Sequence, residues 1–94
     1  MRERIEGKKL DAAVAGLSEW KLEKDGLVRT VLFADFPAAI AFVNRAAELA
    51  EAADHHPDID IRYNKLRIAL STHSAGGITQ MDIDMAAKLD AELQ

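Results

Sequence analysis

Apolar and polar residues alternate in three stretches of this chain and recur at helical spacing in three others. Leu10, Ala13, Val14 and Leu17 predict a short helix over residues 8–16, with Gly16 as its stop. In the segment SEWKLE up to Lys24, Trp20 and Leu22 share one face and Lys21 and Glu23 the other. Asp25-Gly26 is a hairpin-turn dipeptide, and the LVRTVLFA that follows has the β-branched content of a second strand.

The segment FPAAIAFVNRAAELAEAA predicts the longest helix. Asp35 or Phe36 serves as its N-cap, and Pro37 falls in the first turn, where a missing N–H costs nothing. Phe36, Ile40, Val43 and Ala47 share one face, with Ala39, Phe42, Ala46 and Ala50 beside them. Two alternating runs come next. DIDIRYN puts Ile59, Ile61 and Tyr63 on one face, and KLRIALST puts Leu66, Ile68 and Leu70 inward. The final segment, ITQMDIDMAAKLDAELQ, reads as a helix opened by Thr79-x-x-Asp82, a capping-box spacing, with Ile83, Ala86, Ala87 and Leu89 or Asp90 near its seam.

The order α-β-β-α-β-β-α predicts an α+β fold: one domain spanning residues 1–94, a four-stranded antiparallel sheet with three helices packed on its apolar face. If Asn64-Lys65 is the second hairpin's turn, Tyr63 faces Leu66, Ile61 faces Ile68 and Ile59 faces Leu70. Extending that ladder sets His56 opposite His73; a register shifted by two sets His73 nearer Asp54. Either version gathers His55, His56 and His73, all the histidines of the chain, at one end of the sheet.

Composition narrows the function classes. With 49% apolar and 30% charged residues the chain reads as an ordinary folded domain. Its net charge of -4 is mixed along the sequence, without the basic stripe that a nucleic acid requires, and it argues against an anionic membrane. The absence of Cys removes thiolate chemistry and Cys-based zinc sites. No segment has the ~18 apolar residues of a membrane span, and the basic N-terminal stretch carries Asp11 within too short an apolar run for a signal peptide. A cytoplasmic location is expected. Neighbouring imidazoles titrate as a unit near neutral pH, so one ring can accept a proton while another donates one, which suits elimination or dehydration.

Several spaced residues carry a resemblance. They are Glu51-x-x-Asp54-His55-His56-Pro57, then Tyr63-Asn64-Lys65, Ser71-Thr72-His73 and Asp82, preceded by Phe33-x-Asp35-Phe36-x-x-Ala39-x-x-Phe42 and by Trp20. This set resembles the pterin-4a-carbinolamine dehydratases. The resemblance implies the same α+β fold and a hydro-lyase that converts 4a-hydroxytetrahydropterin, the product of aromatic amino acid hydroxylases, to quinonoid dihydropterin. It implies catalytic roles for His55, His56, His73 and Asp82, with no metal and no cofactor beyond the pterin substrate. His55 and His73 are the candidate acid/base pair, His56 holds the pterin and Asp54 orients an imidazole. Ser71, Thr72 and Ser74 offer hydrogen bonds, and Trp20, Glu51 and Pro57 complete the expected binding set. Homodimers or homotetramers are implied, with an aromatic amino acid hydroxylase as pathway partner.

Other readings stand beside these. Asp82 can simply satisfy a helix N-terminus, Trp20 can be core, Tyr63 a hairpin residue and Glu51 solvated helix surface. The chain could instead be a dimerising binding module or transcriptional coactivator, a role the same family also fills in animals. Three His and Asp54 could ligate zinc, although adjacent side chains diverge on extended backbone. Treatment with a strong chelator is expected to leave turnover unchanged; a loss restored by added zinc would reinstate the metal reading.

Overall fold

A computed structural model describes residues 3–94. Its elements are helix α1 (Gly7–Ala15), strands β1 (Lys21–Glu23) and β2 (Gly26–Leu32), helix α2 (Phe36–Ala53), strands β3 (Asp58–Arg62) and β4 (Lys65–Leu70), and helix α3 (Gln80–Glu92). The strands form one antiparallel sheet in the order β1-β2-β4-β3. This is the expected α+β architecture. Among the described residues, no helix is long and apolar enough to cross a membrane.

The core lies on the sheet face that presents Leu27, Leu66, Ile68 and Leu70, against Phe42 and Ala46 of α2 and Met85, Ala86 and Leu89 of α3. The buried residues of α2 are Ala39, Phe42, Ala46 and Ala50, four positions at helical spacing, of which the three alanines leave room for close packing. Phe36, assigned to that face from the sequence pattern, is 45% exposed at the first turn. The first turn itself is held as expected: the Asp35 carboxylate accepts the Ala38 N–H at 2.9 Å. In α3 the seam runs through Asp82, Met85, Ala86 and Leu89, whereas Ala87 is exposed.

Both hairpins turn one residue earlier than the dipeptide patterns predict. Glu23 pairs with Gly26, so Lys24 and Asp25 form the first turn. Gly26 belongs to the ladder because nothing else fits there: its φ is 129°, and a Cβ would lie 2.2 Å from the Leu70 carbonyl oxygen. In the second hairpin Arg62 pairs with Lys65, Ile61 with Leu66 and Ile59 with Ile68, which corrects the predicted register by two. Asn64 explains the shift. Its side-chain amide donates to the Phe33 carbonyl and its own carbonyl accepts the Phe33 N–H, both at 2.9 Å. Tyr63 therefore leaves the apolar face, takes a left-handed φ of 53° and is 66% exposed.

Polar side chains tie the layers together. Arg29 reaches from β2 to Asp90 of α3 at 2.5 Å, and the Trp20 indole N–H donates to the same Asp90 oxygen at 2.8 Å. Trp20 is 3% exposed within the core. On the open face of the sheet Arg67 holds Asp25 with two bonds, at 2.7 and 3.0 Å, and reaches Glu23 at 3.1 Å. The hydrogen bonds from Arg67 hold the Asp25 carboxyl below the usual carboxylate range. Asp90→Ala should lower stability by about 1–3 kcal/mol in urea titration, because a largely buried guanidinium and an indole N–H lose their acceptor together.

Candidate active site

Helix α2 ends where Asp54 takes the left-handed conformation, φ 49°, one that Asp tolerates better than most residues. The Asp54 and His55 N–H groups close the helix onto the carbonyls of Glu51 and Ala50, at 3.3 and 3.1 Å. This reversal separates the two adjacent imidazoles. His55 turns inward and is 8% exposed, while His56 remains outside and bonds the Glu51 carboxylate of the preceding helical turn.

His55 meets Asp82 beneath the surface. Its Nε2 lies 2.5 Å from Asp82 Oδ1, and Asp82 has no exposed surface at all. The other carboxylate oxygen accepts the Thr79 N–H at 2.9 Å and the Thr72 hydroxyl at 2.8 Å. The Thr79 and Thr72 hydroxyls are 2.8 Å apart, and the Thr79 oxygen also accepts the Met81 N–H at 3.2 Å. Proton direction follows from these partners. Thr79 donates to Thr72, Thr72 donates to Asp82, and the imidazole must donate its Nε2 proton to the remaining oxygen. In the neutral ring this leaves the lone pair on Nδ1, the nitrogen turned away from Asp82.

His73 arrives from the other side. It opens a short 3₁₀ turn, His73–Ala75, separated from β4 by Ser71 and Thr72, and it is exposed. A bond from the Thr72 N–H to the Gly77 carbonyl at 2.9 Å fixes the base of that turn. The observed register carries His73 toward Asp54 rather than His56, the second of the two pairings weighed from the sequence.

A cleft of about 290 Å³ results, lined by Asp54, His55, His56, Ser71, Thr72, His73 and Ser74. All three imidazoles share it. Trp20, Glu51, Pro57 and Asp82 lie outside its wall. Trp20 belongs to the core and Glu51 stands behind His56. Asp82 has no surface to offer a ligand, and its link to the cleft is the bond to His55. Thr72 is 2% exposed and its hydroxyl is committed to Asp82, which removes it as a free donor. Thr79, not singled out as a site residue from the sequence, proves to anchor the whole relay; its one visible signal was the spacing to Asp82. Among the described residues, no His, Cys, Asp and Glu side chains form a group of three that could hold a metal ion.

Comparison with known proteins bears on the family and the fold. Residues 3–92 match the family described as pterin 4 alpha carbinolamine dehydratase. A relative from Acidobacterium capsulatum, named "Putative pterin-4-alpha-carbinolamine dehydratase", is 54% identical over 86 residues, 92% of this chain and 94% of its own. One of the same name from Chloroflexus aurantiacus is 61% identical over 72 residues, 77% of each chain. The crystal structure of a transcriptional coactivator/pterin dehydratase from Brucella melitensis superposes with a TM-score of 0.90 at 35% identity, covering 95% of this chain and 97% of that one.

Asp82→Ala should cost about 2–5 kcal/mol in chemical denaturation, since three buried donors lose their acceptor. Asp82→Asn keeps the volume but sets amide protons against the imidazole. The ¹⁵N signals of the His55 ring should then move toward the opposite tautomer, and unchanged ring signals would disprove the orienting role.

Proposed function

The chain belongs to the pterin 4 alpha carbinolamine dehydratase family, and on that premise we propose that it is a hydro-lyase that converts 4a-hydroxytetrahydropterin to quinonoid dihydropterin by histidine acid/base catalysis. The observation that carries this reading is the convergence of His55, His56 and His73 on one small cleft, with a buried carboxylate behind one ring only.

The reaction breaks the bond between ring carbon C4a and its hydroxyl and removes a proton from a ring nitrogen; water leaves. Two proton transfers are needed, and they differ in kind. His55 presents Nδ1 as the base, because Nε2 is occupied by Asp82, and it takes the proton from the ring nitrogen. Asp82 then faces an imidazolium and stabilises it without taking up the proton itself, as buried carboxylates do behind catalytic histidines. His73, in open contact with water, donates to the departing hydroxyl; after product leaves, His55 gives its proton to water and His73 takes one up, so no net proton is consumed. His56 and Asp54 hold the heterocycle, and Ser71 and Ser74 supply hydrogen bonds. The pterin is the substrate; no further cofactor and no metal takes part.

The protein works in the cytoplasm as a homodimer or homotetramer, and an aromatic amino acid hydroxylase supplies its substrate. Self-association is supported by the surface: β3 is an edge strand, Ile59 on it is 37% exposed, and Leu32, Phe36 and Tyr63 are also exposed. A second reading, a binding module or transcriptional coactivator with little turnover, is supported by the likeness to the Brucella melitensis protein, which is called a transcriptional coactivator as well as a pterin dehydratase. The two readings part in one assay. Freshly generated 4a-hydroxytetrahydropterin is supplied, and quinonoid dihydropterin is followed by absorbance. The wild-type chain should accelerate its appearance, and His73→Ala should lower kcat by about 10²–10⁴ with the fold intact. A rate equal to that of buffer would leave the coactivator reading.

A further inference from the structure

Of the three imidazoles, His73 alone has no side chain behind it. His55 is fixed by Asp82 and His56 bonds Glu51, whereas the His73 ring makes no hydrogen bond among the described residues. Its placement therefore comes from the backbone that carries it. After Thr72 the chain runs out through His73, reverses at Gly76 in the left-handed conformation, φ 71°, and returns through Gly77, Ile78 and Thr79. Thr72 and Gly77 pair across this loop. The returning leg has a second neighbour, the start of the chain: Arg4 pairs with Thr79, and the Ile5 N–H donates to the Ile78 carbonyl at 2.7 Å.

The Arg4 side chain completes the contact. It lies over Gly77, where a Cβ would come within 2.6 Å of its Cδ and 3.1 Å of its Cγ. The guanidinium then forks. Nη1 donates to the Gly76 carbonyl at 3.4 Å, and Nη2 pairs at 2.5 Å with Glu6, the residue before α1. Gly76 closes the 3₁₀ turn that His73 opens, since its N–H donates to the His73 carbonyl at 3.1 Å. One side chain thus grips the end of the turn whose first residue is His73. The bond is long and exposed, so it adds little to stability. Its effect is on where the turn rests.

Resting on the dehydration reading, we propose that Arg4 is a positioning residue for that reaction: by gripping the Gly76 carbonyl across Gly77, it holds the 3₁₀ turn so that the His73 ring stands at the departing hydroxyl. Arg4 is not on the wall of the histidine cleft, so it acts through the turn and not on the substrate. Gly77 serves the same contact by lacking a side chain. Its φ lies outside the left-handed region, so the backbone accepts alanine, and the three atoms nearest an added Cβ all belong to Arg4. Alanine there displaces a flexible side chain, the same loss as truncating Arg4 itself.

The test compares Arg4→Ala, Gly77→Ala and the double variant in the full chain. Each should lower kcat for 4a-hydroxytetrahydropterin by about tenfold, the scale of a slightly misplaced group, with KM within about twofold, because His73 acts only as the C–O bond breaks. The double variant should lose no more than either single one, since both substitutions remove one contact. ¹⁵N relaxation should show the backbone of His73–Gly77 more mobile in all three, while the His55 ring signals and the urea midpoint stay in place. Losses that multiply in the double variant, a kcat unchanged by Arg4→Ala, or movement of the His55 signals together with the urea midpoint would overturn the positioning role. Unchanged mobility of His73–Gly77 in Arg4→Ala overturns it whatever the turnover. A wild-type chain without turnover removes the dehydration reading, and the relaxation measurement still decides whether Arg4 holds the turn.

Discussion

A carboxylate taken wholly out of water is tolerated only where donors meet its oxygens, and Asp82 is met by three. Those donors come from three separate parts of the chain: His55 beyond the end of α2, Thr72 after β4, and the Thr79 N–H at the start of α3. The rest of the site depends on this junction. It ties the exit of one helix to the entrance of another across the end of the sheet, and it decides which nitrogen of His55 is available. The capping motif of α3 and the support of the His55 ring are here one set of atoms.

The sheet has a different task, which is to bring His73 to the same place. It does so through register. Gly26 fits inside the ladder against the Leu70 carbonyl, and Asn64 is fastened to Phe33, so neither hairpin can slip without losing a close contact or two hydrogen bonds. With β4 paired to β3 up to Ala69 and to β2 up to Leu70, the chain enters the 3₁₀ turn at a defined point beside Asp54. The two mechanisms are independent: one buries a charge and the other fixes a ladder.

Much of this was legible in the chain itself, and the reasons are local. Asp35 before Phe36-Pro37 marks a helix start by chemistry, and alternation in DIDIR and KLRIAL marks strands by side-chain direction. The hairpin turns were misplaced because dipeptide preference describes a turn in isolation, whereas Gly26 and Asn64 answer to Leu70 and Phe33, distant in sequence. Tyr63 looked inward only while its register was unsettled. The clustering of the histidines was readable from spacing alone. What spacing could not give was depth. Nothing in EAADHHP tells which imidazole turns inward, since that follows from the left-handed turn at Asp54, and nothing in LSTHS tells that the Thr72 hydroxyl is already engaged.

The shared use of Asp82 has a consequence for heat. The first turn of α3 is held by Thr79 and Asp82, and it is also what keeps the His55 ring from rotating. Helix ends loosen at lower temperatures than the interior they cover. Fraying there would release the imidazole while the sheet and α2 still stand, so in a warmed sample the His55 ring would lose its fixed orientation before any probe of secondary structure registered melting.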